Sequence, residues 1–173
     1  MPPRPAPSTP ARKRPRARPK ADAAMFVLRK LRVVFNTVKG HFREVEKKTG
    51  VAGAQVWAMA VVRDQPGLGV NDLARAMDIH QSTASNLLRQ LQQLSLVERR
   101  RRGKDQRSVQ IFVTGRGRAL LRRSPQPFIG VLQQALTELP DANLASMHRQ
   151  LARLIKSMAG KNLAARATPL SDL

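Results

Sequence analysis

Two runs of residues in this 173-residue chain have types and spacing suited to one chemistry, the gripping and reading of a polyanion. The denser run is Arg99, Arg100, Arg101, Arg102, Gly103, Lys104, Asp105, Gln106 and Arg107. Four consecutive arginines repel one another and gain nothing by folding. Opposite a phosphate backbone or in a minor groove, that repulsion becomes attraction. The second run is short, polar and uncharged at its start: Gln81, Ser82, Thr83, Ser85 and Asn86, with Arg89 one turn later. Such side chains can sit close to base edges and exchange hydrogen bonds with them, and an asparagine can pair with adenine through two.

Residues of this kind act only if a rigid element presents them. At about 100° per residue, Ala84, Leu87, Leu88, Leu91 and Leu94 form an apolar stripe over a helix from about Gln81 to Leu94, leaving Ser82, Asn86, Arg89 and Gln93 on the outer side. Just upstream, Asn71 to Met77 places Leu73, Ala74 and Met77 on one face, with Asn71 as the cap and Ile79 closing the turn after Asp78. Downstream of the basic run, Val109, Ile111 and Val113 alternate as in a strand. The arrangement predicts a helix-turn-helix with a basic β-hairpin attached, and Leu68 with Val70 suits a short strand beside that hairpin.

The run LARAMDIHQSTASNLLRQLQQLSLVERR resembles the helix-turn-helix of the MarR family of bacterial transcription regulators, and RGKDQRSVQIFVTGRG resembles that family's wing. Asp105 and Arg107 match an aspartate two positions before an arginine near the hairpin tip. Thr114 and Gly117 match the threonine and glycine at the exit into the next helix. The resemblance covers roughly Asp22 to Ala159. It departs at His80, where a serine or threonine cap is usual, and at Asn86, where an arginine is common. It implies a homodimeric, sequence-specific regulator of transcription, a repressor, whose partner is double-stranded DNA with a palindromic operator. A small-molecule effector is a further partner that it allows. It also implies that Asp105 orients Arg107 toward a minor groove.

Composition points the same way. The net charge of +21 makes a polyanion the default partner. No run approaches about 18 uninterrupted apolar residues, which argues against a membrane partner. Aromatics are only 3% against 42% hydrophobic residues, so the core must be aliphatic and the chain leans helical. There is no cysteine, hence no disulfide, thiolate metal site or cysteine redox switch. The basic N-terminus lacks an apolar signal region, and the expected location is cytoplasmic.

Catalysis finds little support. The closest acidic pair, Glu44 and Glu46, points to sides of a helix ~200° apart. His41, His80 and His148 fall in three different elements, which offers no metal spacing. Gly115-Arg116-Gly117 is a lone GxG that reads as a turn. The expectation is a protein that is not an enzyme, with no cofactor and no metal.

The flanks complete the organisation. Met1 to Lys20 holds seven basic residues among repeated prolines and no acid, a disordered basic tail suited to non-specific phosphate contacts. Leu28, Leu31, Phe35, Val38, Phe42 and Val45 recur at 3,4 spacing along one long helix. A second, nearly all-apolar helix covers about Ala52 to Arg63, with Trp57 read as core. Beyond the hairpin, Gly115 to about Glu138 is helical but broken by Ser124-Pro125-Gln126-Pro127. From Pro140-Asp141 a last helix repeats Leu144, Met147 or His148, Leu151, Leu154 or Ile155, and Met158. One small winged domain does not need these terminal stripes for its own core, so isologous dimerisation is their economical use.

The predicted fold is mainly α with a small β-wing. It divides into a disordered basic tail (1–20), a dimerisation helix (21–50), a winged helix-turn-helix (51–117), further dimerisation helices (118–160) and a flexible C-terminal tail (161–173). A sequence-tolerant architectural, nucleoid-associated DNA binder is the alternative suggested by the charge and the tail.

Overall fold

The computed structural model describes residues 20–101, 109–158, 160 and 167–170. The element order is α1 (Lys20–Thr49), α2 (Gly53–Asp64), α3 (Val70–Met77), α4 (Gln81–Gln93), β1 (Val97–Arg101), β2 (Val109–Val113), α5 (Gly115–Arg123), α6 (Val131–Thr137) and α7 (Asp141–Ser157). The strands form one antiparallel pair, in register Val97 with Val113 and Arg99 with Ile111. This is the mainly helical fold with a small wing that the residue pattern predicts.

The described residues separate into two compact units, divided between Val33 and Val34. In the first, the described turns of α1 are solvent-facing except at Leu31, and the Arg29 guanidinium lies 5.6 Å from the centre of the Phe26 ring. In the second, the core gathers on α2. Val56, Met59 and Val62 are fully buried with Val45, Leu73, Leu88, Leu91, Leu96 and Ile111. An almost wholly apolar helix can be satisfied only in the middle of such a cluster. Trp57 is half-buried at its edge.

The joint between α1 and α2 is built by one buried threonine. Thr49 donates its hydroxyl to the Val45 carbonyl at 2.7 Å and accepts the Val51 N–H at 3.2 Å. Gly50, at φ +75, turns the chain there, and Gln55 Oε1 accepts the Ala52 N–H at 3.0 Å. Gly53 lets the Phe42 ring lie against the helix: an added Cβ would come within 2.6 Å of Cε1.

Four expectations are corrected. Asn71 is not the cap of α3; Gly69 holds that position, and Asp72 Oδ2 accepts its N–H at 3.0 Å. The carboxylate three residues on satisfies the orphan donor, so Asn71 is left exposed. Leu68 does lie beside the hairpin, since the Ile111 N–H reaches its carbonyl at 3.2 Å and the Gly67 N–H reaches the Ile111 carbonyl at 2.9 Å. No third strand forms there, because Val70 already opens a helix. Leu94 is not part of the buried stripe of α4 but 39% exposed; the chain turns at Ser95 in left-handed geometry, and Leu96 enters the core instead. Lys20, read as tail, is the first residue of α1.

The proline-containing segment after α5 does break the helix. Ser124 ends it by donating its hydroxyl to the Leu120 carbonyl at 2.9 Å, and α6 begins only at Val131. α7 buries no residue: Leu151 and Ile155 are each 44% exposed, and on α1 Phe35 is 58% exposed. Near the C-terminus, where fraying is expected, Pro169 is buried and shares an apolar cleft with Phe42, Trp57 and Phe128.

Candidate nucleic-acid interface

α3 and α4 meet through a turn that Asp78 closes in the left-handed region at φ 51, its N–H returning to Arg75 at 3.2 Å. A short polar residue tolerates that conformation. His80 then opens α4 without a side-chain cap; the Ala84 N–H bonds to the His80 carbonyl at 3.0 Å, so the backbone alone starts the helix. Ala84, Leu87, Leu88 and Leu91 are buried, which fixes the rotation of α4 and turns Gln81, Ser82, Asn86 and Arg89 to solvent. Thr83 and Ser85 are half-buried at the flanks.

Two side-chain bonds sort this face further. Gln90 Oε1 accepts the Gln55 amide at 2.8 Å, which ties the exposed Gln90 to α2. Asn86 Oδ1 accepts a hydrogen bond from Arg89 Nη2, one turn along.

The pleat of the hairpin divides the arginine run. Arg99 lines a cleft of about 580 Å³ together with Asn71, Asp72, Arg75, Gln81 and Gln110. Arg100 faces the other way: it bonds Glu98 Oε1 at 3.0 Å through Nε and lies 4.7 Å from the centre of the Phe112 ring. The structure thus brings Arg99 to the start of α4 and takes Arg100 from it. Arg101 pairs with Val109 through the strand backbone. Arg102, Lys104, Asp105 and Arg107 lie outside the described residues, as does the tail up to Pro19.

Asn71 and Arg75 are rim residues that the sequence reading passed over as candidates. Arg75 pairs with Asp72 at i,i+3, a spacing visible in the sequence but equally common on any solvated helix. The Gly69 N–H first, and the Arg75 guanidinium second, hold the Asp72 carboxyl below the ordinary aspartate range. The rim thus sets one carboxylate, Asp72, among cations and neutral polar groups.

A second open cleft, of about 370 Å³, is lined by Thr49, Leu94, Leu96, Arg116, Leu120 and Arg123. Among the described residues no group of three His, Asp or Glu side chains could hold a metal ion, and no helix is long and apolar enough to cross a membrane.

A helix-turn-helix whose second helix turns a polar face outward, followed at once by a two-stranded hairpin, defines a winged helix-turn-helix protein. Residues 49–108 match the model of the MarR family. The HTH-type transcriptional repressor MdtR of Bacillus subtilis (strain 168) is 26% identical over 87 residues, which span 50% of this chain and 56% of that repressor. The chain thus matches little more than half the length of this relative. Among solved structures, the S. aureus MepR–DNA complex has a TM-score of 0.53 at 22% identity, covering 79% of this chain and 98% of that one. The YusO protein from Bacillus subtilis has a TM-score of 0.51 at 19% identity, covering 82% of this chain and 100% of that one. Both likenesses establish the fold.

Proposed function

We propose that the chain is a homodimeric transcription regulator that binds double-stranded DNA sequence-specifically, at a two-fold operator. The observation that carries this reading is the placement of Arg99 in one cleft with Gln81, at the start of a helix whose outer face is polar and exposed. A phosphate grip and a base-reading surface then follow one contour. Gln81, Ser82, Thr83, Ser85, Asn86 and Arg89 face the major groove. The wing, with Arg99, Arg101, Arg102, Lys104 and Arg107, reaches the neighbouring backbone or minor groove, and Asp105 orients Arg107 through a charge-assisted hydrogen bond. The exposed apolar stripes of α1 and α7, including Leu28, Phe35, Leu151, Leu154, Ile155 and Met158, form the dimer interface. MdtR is named a repressor, and repression is the sign of regulation we assign; a small-molecule effector would release it.

The test is binding-site selection from random DNA, followed by competition at physiological salt. A regulator should prefer its selected site to random DNA by roughly 10³-fold or more. A preference near unity would replace this reading with that of an architectural DNA binder. Transcription in vitro from a promoter overlapping the selected site then reads the sign.

A further inference from the structure

We propose that Arg89 reads a guanine in each half-site and that Asn86 is its positioning residue rather than an independent reader of adenine. The inference rests on the sequence-specific reading above. It starts from the bond between Arg89 Nη2 and Asn86 Oδ1 on the exposed face of α4.

The acceptor sets this arginine apart from those in ion pairs; Arg118 too has a neutral acceptor, the Val113 carbonyl at 2.8 Å, but that bond lies at the exit of the wing and not on α4. Arg63, Arg75 and Arg100 are each held by a carboxylate, from Asp64, Asp72 and Glu98 respectively. Arg89 is held by a neutral amide, which restricts the guanidinium without cancelling its charge. An orienting partner that leaves the charge intact suits a side chain that must still be attracted by DNA.

Direction matters as much as charge. Arg89 is the ninth residue of α4, whereas base contacts in this motif come from the N-terminal turns of the recognition helix. Residue 86 lies three positions nearer that end, about 4.5 Å along the axis. The bond draws the guanidinium back toward Ser82 and the first turns. Five N–H donors serve a guanidinium, and one is spent on Asn86. Two of the others suffice for O6 and N7 of guanine, the bidentate match for arginine. Asn86, by contrast, would need both Oδ1 and Nδ2 aligned outward for adenine, and its Oδ1 faces along the helix to Arg89.

The experiment uses the full chain and the site it selects. Every base pair of one half-site is substituted in turn against the unmodified protein, Arg89→Ala, Asn86→Ala, Asn86→Asp and the double variant. Arg89→Ala should erase the preference for one G·C pair, weakening binding to the selected site about ten- to a hundredfold. Asn86→Ala should weaken binding about threefold to tenfold, blur the preference at that same pair, and add nothing in the double variant. Asn86→Asp should keep the base preference, because the carboxylate still orients Arg89, while lowering affinity for all sequences. If Asn86→Ala instead removes a preference for an A·T pair that Arg89→Ala leaves intact, with additive losses, the inference is overturned. An unmodified protein with no selected site would overturn the functional reading itself, a different result from either.

Discussion

Gly117 lies against the carbonyl of Leu96 so closely that a Cβ on it would overlap the Leu96 oxygen and sit 2.7 Å from Val113 Cγ1. The same oxygen accepts the N–H of Thr114 at 3.1 Å, while the Thr114 hydroxyl donates to the neighbouring Ser95 carbonyl at 2.8 Å, with the Leu96 oxygen 3.1 Å away. Thr114 Oγ1 in turn accepts the Gly117 N–H at 3.1 Å, capping α5. This knot ties the exit of the wing to the end of α4. Because the obstruction is backbone, a flexible side chain cannot relieve it. Gly117→Ala should cost about 1–3 kcal/mol or more of stability, and Thr114→Ala about 1 kcal/mol through removal of the cap. Urea unfolding followed by circular dichroism checks both; a Gly117→Ala protein as stable as the parent would show that the hairpin and α5 can separate.

The carboxyl of Asp72, held low first by the Gly69 N–H and then by Arg75, predicts an acid limb in the stability profile. Its folded pKa lies below its unfolded one, so its stabilisation is present above the unfolded value and is lost as pH falls through the folded value. Between neutrality and about pH 3, the urea midpoint of the parent should therefore fall more than that of Asp72→Asn. Parallel profiles for the two proteins would remove Asp72 from the account.

Arg99 and Arg100, adjacent in the chain, should behave differently. Arg99→Ala should weaken binding to all DNA sequences and make the slope of log K against log salt shallower by about 0.9. Arg100→Ala should leave that slope nearly unchanged, because Glu98 already opposes its charge. It should instead cost about 0.5–1 kcal/mol of stability, since the guanidinium no longer lies over the Phe112 ring. Equal salt slopes for the two variants would mean that the ribbon acts as an undivided basic strap.

Leu151→Glu tests the dimer. The side chain is 44% exposed within one chain, so the fold should survive the change. Sedimentation should show the parent as a dimer at micromolar concentration and the variant dissociating at concentrations at least tenfold higher. A monomeric parent would leave the apolar face of α7 without the role assigned to it.

Removal of Met1 to Pro19 takes away six arginines and lysines without entering α1. Site preference should persist while affinity falls, most at low salt, with the salt slope shallower by about 0.9 for each phosphate that the tail had neutralised. An unchanged slope would make the tail a bystander.

The sequence by itself determined the element order and the rotation of the helices that matter most. Leu73, Ala74 and Met77, then Ala84, Leu87, Leu88 and Leu91, follow a helical period that leaves no other face to bury, and all seven are buried. The alternation of Val109, Ile111 and Val113 was legible as a strand for the same reason. What remained hidden depended on atoms distant in the chain or on choices among equivalent local bonds. Either Asn71 or Gly69 could stand at the start of α3, and only the reach of Asp72 back to the Gly69 N–H decided it. Four identical arginines carry no periodicity, so the split between Arg99 and Arg100 came from the strand register, which Ile111 and Val113 set by entering the core. The bond between Asn86 and Arg89 is one of several that an exposed helix face permits, and Gln90 chose Gln55, 35 positions away, because tertiary packing placed α2 beside α4. Patterns of burial repeat along a chain and can be read there, whereas the pairing of individual polar groups is decided only when the folded backbone brings their partners within reach.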